Sequence, residues 1–386
     1  MLQMQACATC QACAQACPAV AGSLDGRLSA VYRLATLNKL LRKKTSFWQK
    51  LFRARPPSAD ELRAFSETVF RCTLCGNCRQ VCPVGIDLTH LWHSLRRDLV
   101  EWGAYPQKID MIRDNLDESR NVFGEDNEER ADWVEDLPDA PDHGYIKDRA
   151  KVVYFTGCVA SFFPMAQQIP MSMVHILDAA GVEFTLLGED EWCCGFPLLG
   201  AGLSDQLDEV IGHNVEAVKA KGADRVLFAC PSCHRMWEEH YPGDVKIAHE
   251  TQFLLELIRS GRLSFQEMDL TVTYHDPCDL GRGSGVYDAP REIIRSIPGV
   301  RLVEMTHNRE NCACCGGGGN LEMIDADLSS AIAENKIKEA VATGAQAVIT
   351  SCQQCVRTMT TYAKRNKISM EILDIAQLVY KAISKT

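Results

Sequence analysis

The sequence predicts an α+β multidomain protein, a mainly helical N-terminal region followed by a duplicated α/β unit with pseudo-two-fold symmetry. Three observations predict it. All but one of the 19 cysteines fall into four repeated patterns. The second half of the chain repeats itself at an offset of about 120 residues. Within each repeat, short apolar strands alternate with helix-length amphipathic segments, the signature of a parallel sheet.

The N-terminal region, 1–115, carries Cys7-x2-Cys10-x2-Cys13-x3-Cys17-Pro18 and a second copy, Cys72-x2-Cys75-x2-Cys78-x3-Cys82-Pro83. Between them Leu34, Leu37, Leu40 and Leu41 recur at helical spacing. Pro56 and Pro57 interrupt that pattern before Ser58, a residue suited to cap the next helix. The x2-x2 spacing lets three sulfurs from one tight loop face three corners of an iron–sulfur cube. In two-cluster ferredoxins the cysteine before proline reaches across to the other cluster. The expected ligand sets are therefore Cys7, Cys10, Cys13 and Cys82 for one cubane 4Fe–4S cluster, and Cys72, Cys75, Cys78 and Cys17 for the other. Zinc is also held by four cysteines, but usually through two separated CxxC pairs rather than two complete CxxCxxCxxxCP runs.

An acidic segment, 116–149, follows. Nine carboxylates lie between Glu125 and Asp142, with Pro138 and Pro141 among them. It reads as a linker, or as a strap on a neighbouring surface.

The duplicated part comprises modules 150–265 and 266–386. Cys158, Cys193-Cys194-Gly195 and Cys230-x2-Cys233 align with Cys278, Cys314-Cys315-Gly316 and Cys352-x2-Cys355. Each module opens on a strand, Val152 to Phe155 or Thr271 to Tyr274. In each, a second strand (Val226 to Phe228, Val348 to Ile349) runs into the CxxC. Cysteines at the C-terminal ends of parallel strands sit where such sheets bind cofactors. Adjacent cysteines diverge and serve one tetrahedral ion poorly, so each five-thiolate set suits a larger, open assembly.

Bulk properties bound the function. The chain has 386 residues, 46% of them hydrophobic, and a formal charge of −10. Such an acidic chain lacks the basic footprint of a nucleic-acid binder. No apolar run approaches the roughly 18–20 residues that cross a bilayer, and no secretory signal is evident at the start. The expected location is the cytoplasm, including peripherally at the inner face of a membrane. There thiols stay reduced, and clustered cysteines mean metal or catalysis rather than disulfides.

The cysteine-rich sets resemble the CCG modules of the heterodisulfide reductase family. The whole chain resembles the catalytic iron–sulfur component of that family, in which a two-cluster ferredoxin part is fused to a double CCG part. The likeness includes the stretch Asn121, Val122, Phe123, Gly124, Glu125 through Arg130 to Trp133, and the element from Tyr274 through His275, Asp276 and Pro277 to Cys278. The resemblance implies one noncubane 4Fe–4S cluster on Cys158, Cys193, Cys194, Cys230 and Cys233, and another on Cys278, Cys314, Cys315, Cys352 and Cys355. Iron–sulfur subunits of glycolate and glycerol-3-phosphate dehydrogenases are similar but often lack cysteines in one module; here neither module lacks a position. The expected function is thus electron passage from the cubane clusters to noncubane clusters that reduce a disulfide-type substrate, with Cys193, Cys194, Cys314 and Cys315 at the reacting centres. The alternative is a relay subunit, without a substrate of its own, in a flavin-dependent dehydrogenase or acyl-CoA-reducing complex. No flavin or nicotinamide fingerprint occurs, so partners are expected: a flavoprotein or membrane cytochrome b donor, and other iron–sulfur subunits.

Smaller signals remain. His249 and His275 lie near the modules in sequence; either could give a proton to a leaving thiolate or be a hydrogen-bonded structural histidine. Cys312 is left over, as an alternative ligand, a reactive thiol or a buried small hydrophobe. The run Gly316 to Gly319 lacks the Lys-Ser/Thr of a phosphate loop and fits backbone lying against a cluster or substrate. Residues 27–55 carry Arg27, Arg33, Lys39, Arg42, Lys43, Lys44, Lys50, Arg53 and Arg55 among Phe47, Trp48, Leu51 and Phe52. That run reads as a docking patch or as a solvated helix face.

Overall fold

The computed structural model describes residues 6–45, 57–142 and 144–383. The chain forms two compact units. The first comprises Met1–Met111, Pro197–Ser204 and Ala313–Asn335; the second comprises Ile112–Phe196, Asp205–Cys312 and Lys336–Thr386. The sequence places Pro197–Ser204 and Ala313–Asn335 within the modules, whereas both segments pack with the N-terminal helices.

The first unit is helical. Its longer helices are Ala30–Thr45, Ala59–Phe70 and Leu88–Glu101. Ser58 caps the second through a reciprocal capping box with Glu61. Leu34, Leu37 and Leu40 are buried, as their spacing predicts. Ala19, Leu28, Leu321, Leu328 and Ile332 form one apolar cluster, which holds the segment after the second CCG run against the first cysteine loop. Arg71 and Asp325 pair at 2.6 Å across the same seam. Phe47, Trp48, Lys50, Leu51, Phe52, Arg53 and Arg55 of the basic run lie outside the described residues. Arg33 departs from the surface reading of that run, for it is buried.

The second unit contains two four-stranded parallel sheets of identical order. Strands β1 (Val152–Phe155), β2 (Phe184–Thr185), β3 (Arg225–Phe228) and β4 (Lys246–His249) are arranged β2-β1-β3-β4. Strands β5 (Leu270–Tyr274), β6 (Val300–Leu302), β7 (Ala347–Thr350) and β8 (Glu371–Asp374) repeat this as β6-β5-β7-β8. All pairings are parallel, with Phe155 opposite Phe228 and Tyr274 opposite Ile349. β1 is buried along its whole length, as a central strand covered by helices on both faces must be. Helix Gln168–Ala179 of the first module packs on Ile375–Ala382 of the second, and Glu250–Arg259 of the first on Asp288–Ser296 of the second. These two pairs exchange equivalent helices, as a pseudo-two-fold axis requires.

The acidic segment is a strap rather than a free linker. Asp126 caps a 3-10 helix, Asn127–Val134, whose Arg130, Trp133 and Val134 are buried. Farther on, Tyr145 stacks on Phe184 at 5.2 Å, and the Lys147 N–H donates to Thr185 Oγ1 at 2.9 Å. The strap therefore covers the β2 edge of the first sheet. No described helix is long and apolar enough to cross a membrane.

Candidate metal centres

In the first unit the eight cysteines of the paired runs line two cavities. Cys7, Cys10, Cys13 and Cys82 surround a space of about 360 Å³. Cys17, Cys72, Cys75 and Cys78 surround another of about 400 Å³. Each cavity joins three cysteines of one run to the last cysteine of the other. Local backbone makes this possible. Thr9 and Gln11 in one loop, and Leu74 and Gly76 in the other, take left-handed φ values between 52° and 76°. The chain thereby curls, so that sulfurs three residues apart face inward. Three non-glycine residues in that region carry a conformational cost, and such strain persists where the surroundings over-determine it. Cys17 then precedes Pro18 at the start of the helix Pro18–Ser23, which turns its sulfur out of its own loop.

The electrostatics suit an anionic cofactor held by thiolates. Burial, followed by the neighbouring Cys72, pushes the Cys17 thiol up to about 11. Burial does the same to Cys78, more strongly, and to Cys13. Thiols so placed stay protonated unless a cation displaces the protons. The second cavity also has cations of its own. Arg33 lines it and lies over the Trp92 ring at 5.5 Å. Arg96 is fully buried and donates to the carbonyls of Cys72 (2.7 Å), Phe70 (3.1 Å), Val69 (3.1 Å), Gly200 (2.6 Å) and Gly319 (2.9 Å). Burial pulls its guanidinium down to about 10, an effect that Cys72 opposes. Gly319 has φ +64°, and a Cβ there would overlap the Cys72 carbonyl oxygen. The glycine run thus serves close backbone approach beside the Cys72 loop, rather than a phosphate.

In the second unit the first five-cysteine set converges. Cys158, Cys193, Cys194, Cys230 and Cys233 are all buried. Their thiols form a linked chain, Cys158 to Cys193, Cys193 to Cys194, Cys194 to Cys233 and Cys233 to Cys230. Hydrogen bonds from Cys193 and Cys233 hold Cys194 below the usual thiol range, while Cys158 and Cys233 are held well above it by accepting neighbours and burial. Cys158 follows β1, and Cys230 and Cys233 follow β3, so adjacent central strands deliver three of the five sulfurs. The paired cysteines are oriented by Asn214 and Tyr241, which donate to the Cys193 carbonyl (3.2 Å) and the Cys194 carbonyl (3.1 Å).

Beside Cys158 lies an ion pair that is only 1% exposed, Arg130 Nη1 to Glu191 Oε1 at 2.9 Å. Glu191 also accepts from the Thr156 N–H (2.8 Å), Thr156 Oγ1 (3.0 Å) and the Gly157 N–H (2.8 Å). Arg130 Nη2 reaches Cys158 Sγ at 3.8 Å. This pair fixes the turn that presents Cys158 and puts a positive charge against its sulfur.

Of the second set, Cys278, Cys352 and Cys355 belong to this unit, while Cys314 and Cys315 belong to the first. Cys352 precedes the helix Gln353–Arg365, and its sulfur accepts the Cys355 N–H at 3.4 Å. In the first unit Cys314 Sγ accepts the Gly316 N–H at 3.4 Å. The turns of the two modules interlock in the second unit. Gln353 Nε2 donates to the Thr156 carbonyl at 2.7 Å, and its Oε1 accepts the Ala160 N–H at 3.2 Å. Reciprocally, Ser232, inside the first CxxC, donates to Asp279 at 2.7 Å, next to Cys278. Each CxxC turn thus grips the leading cysteine turn of the other module.

His249 and His275 are both buried. His249 Nδ1 accepts the Thr251 N–H at 3.2 Å, capping the following helix, and burial with nearby His234 holds the ring neutral. His275 Nδ1 lies 3.4 Å from Cys312 Sγ, and Lys336 Nζ is 3.6 Å from the same sulfur. Burial alone would raise the Cys312 thiol; Lys336 and His275 outweigh it and bring it below the ordinary value. Cys312 is therefore a buried thiol in a polar setting, not an apolar filler. Below the CxxC turns, Glu250 and Asp374 are fully buried; burial, and then the charge of Asp374, hold the Glu250 carboxyl well above the usual range. Glu191, Arg96 and Lys336 carry no motif, Gln353 is a spacer within its CxxC, and only their three-dimensional partners reveal them.

Comparison with known proteins places these features in a family. A model described as a cysteine-rich domain matches residues 152–238 and 272–360, and a 4Fe-4S dicluster domain model matches 3–86. The D subunit of the dihydromethanophenazine:CoB–CoM heterodisulfide reductase of Methanosarcina acetivorans is 37% identical over 396 residues, covering 99% of this chain and 95% of that protein. The probable iron-sulfur-binding oxidoreductase FadF of Bacillus subtilis is 29% identical over 82% of this chain and 47% of its own length. The EtfAB:quinone oxidoreductase of Syntrophomonas wolfei is 25% identical over 99% of this chain and 58% of its own. A crystal structure of a hypothetical protein from Helicobacter pylori superposes with TM-score 0.60 at 12% identity over 93% of this chain and 68% of its own, a likeness of fold alone. With its dicluster cysteines, its two complete cysteine-rich modules and end-to-end similarity, the chain belongs to the heterodisulfide reductase D-subunit family of iron–sulfur oxidoreductase proteins.

Proposed function

We propose that this chain is the disulfide-reducing subunit of a larger complex. Cys7, Cys10, Cys13 and Cys82 would hold one cubane cluster and Cys17, Cys72, Cys75 and Cys78 the other. Each module would hold a noncubane cluster on its five cysteines, Cys158, Cys193, Cys194, Cys230 and Cys233 in the first and Cys278, Cys314, Cys315, Cys352 and Cys355 in the second. The clusters supply one-electron steps and iron sites open to sulfur. The overall reaction is R–S–S–R′ + 2e⁻ + 2H⁺ → RSH + R′SH, with electrons from a flavoprotein or membrane cytochrome partner. One observation carries the reading: five buried thiols converge at the ends of β1 and β3, and the interlocked turns tie Cys158, Cys230 and Cys233 to the neighbourhood of Cys278, Cys352 and Cys355. Two one-electron centres beside one substrate fit a two-electron cleavage.

The chain's own groups have distinct tasks in this reading. Arg130 offsets the charge gathered at Cys158, and Glu191 keeps Arg130 there. Gln353 keeps the two modules in register. Both histidines retain a buried Nε2 without a hydrogen-bond partner among the described residues; His275, three residues before Cys278, is the proton donor we favour, while His249 uses its Nδ1 to cap the following helix.

The test is anaerobic purification of the full chain, an iron count, and electron paramagnetic resonance with and without oxidised thiols. About sixteen irons are expected, about four per cluster. A total near eight would remove the noncubane assignment. FadF and the EtfAB:quinone oxidoreductase are similar to this chain within longer polypeptides, which favours the relay as the second reading. A full iron complement whose spectrum ignores every disulfide would select it.

A further inference from the structure

The two cavities of the first unit differ in charge. Among the described residues, none that lines the Cys7, Cys10, Cys13 and Cys82 cavity is charged, and its Cys10 is exposed. The other is lined by Arg33, and its Cys72 carbonyl is held by Arg96. Among the described residues neither arginine pairs with a carboxylate. Arg96 donates to carbonyl oxygens and lies over the Phe70 ring at 5.0 Å; Arg33 donates to one carbonyl, Arg71 O at 3.5 Å, and its Nε is buried without a hydrogen-bond partner. Two buried, unpaired guanidinium groups are costly unless a negative charge stands close by. Four thiolates around a cluster would supply it.

We propose that Arg33 and Arg96 make the Cys17, Cys72, Cys75 and Cys78 site the higher-potential member of the pair, so that electrons enter at the Cys7 site and collect at the Cys72 site. The inference rests on the two-cubane reading above. Reduction adds one negative charge to a centre, and a fixed cation in low dielectric favours that charge more than carbonyl dipoles can. Water around Cys10 works in the opposite direction, but it screens rather than supplies a unit charge. One electron leaves the first site, oxidising it by one, and reduces the second by one; an external one-electron donor restores the first. Within the same unit Gly318 and Gly319 press on the backbone of Cys72 and Thr73, so the collecting site adjoins the loop that carries Cys314 and Cys315.

The experiment is a redox titration of the intact, anaerobically prepared chain, poised with dithionite and mediators and read by electron paramagnetic resonance. Arg33→Gln should lower the potential of the cubane signal reduced first, by at least a tenfold change in its oxidised-to-reduced ratio, about 59 mV for one electron. The other cubane signal should hold, and Arg33→Lys should restore most of the shift. Val84 lines the first cavity and is 47% exposed, so Val84→Lys adds a cation there without burying it. That variant should raise the later signal only, and it keeps the test open if Arg33→Gln does not fold. A Val84→Lys shift in the first-reduced signal, or an Arg33→Gln shift in the second or in neither, would overturn the assignment. An iron count showing no cubane clusters would instead overturn the reading on which it rests.

Discussion

Removing Arg130 tests the electrostatic frame of the first module most directly. Arg130 and Glu191 are both 1% exposed, and the carboxylate accepts four hydrogen bonds, only one of them from a charged donor. Arg130→Met keeps the aliphatic bulk but leaves Glu191 with three neutral donors in a buried site. Breaking a buried pair in this way costs about 3–5 kcal/mol. Glu191 can relieve part of the loss by taking a proton, since burial already raises its affinity for one. Each unit between its new pKa and the ambient pH adds about 1.4 kcal/mol to that route, so relief is larger at pH 6 than at pH 8. For a domain of this size a 3 kcal/mol loss corresponds to a fall in Tm of about 6–12 °C. Anaerobic thermal unfolding followed by circular dichroism measures it, and an iron count on the same sample should fall by up to one cluster, because Cys158 loses its neighbouring cation. The double variant Arg130→Met with Glu191→Met should lose much less than the sum of the single ones. Single variants within about 1 kcal/mol of the parent at pH 8, or a strictly additive double variant, would mean that the buried pair is not what holds this turn.

Other outcomes follow from the same geometry. Glu250 is held protonated in the folded chain but ionises once unfolded, so the native state retains a proton that the unfolded state has released. Stability therefore declines as pH rises above the ordinary glutamate value, by up to about 1.4 kcal/mol per pH unit for each proton retained; Glu250→Gln should flatten this slope between pH 5 and 8 in thermal melts. Gln353→Ala strands the Thr156 carbonyl and the Ala160 N–H in a buried turn, for a loss of about 1–3 kcal/mol in denaturant titrations with an unchanged m-value. Cys82→Ala should alter the signal of the cluster associated with Cys7, Cys10 and Cys13, and Cys17→Ala that of the other. The reverse result, each variant perturbing the cluster of its own run, would remove the crossed arrangement.

Much of this protein could be read from spacing, because cysteine motifs and helix caps are local. Ser58 with Glu61, the strands that run into each CxxC and the duplicated topology all lie within short stretches. The groups that tune the centres act over long distances in sequence. Glu191 stands 61 residues from Arg130, and Gln353 lies 193 from Ala160. Arg33 looked like one of nine cations on a surface run, since a side chain's burial depends on partners that its own neighbours do not specify. The acidic strap had the composition of a linker because most of its carboxylates do face water; Arg130, Trp133 and Val134 anchor it and are too few to alter that composition. Cys312 aligns with Glu191 in the repeat, so two modules of one ancestry hold different polar groups at equivalent places.

Arg96 gathers carbonyls from three separate lengths of chain, at Val69 to Cys72, at Gly200 and at Gly319. During synthesis these do not emerge together. About 200 residues separate Met111 from Ala313, where the last segment of the first unit begins. At about 5–20 residues per second that interval lasts roughly 10–40 s, during which the N-terminal helices wait without their final partners. The loops at Cys7 and Cys72 are accordingly open to solvent, oxidants and assembly factors until nearly the whole polypeptide has been made, and a truncated product would be left with thiols it cannot shelter.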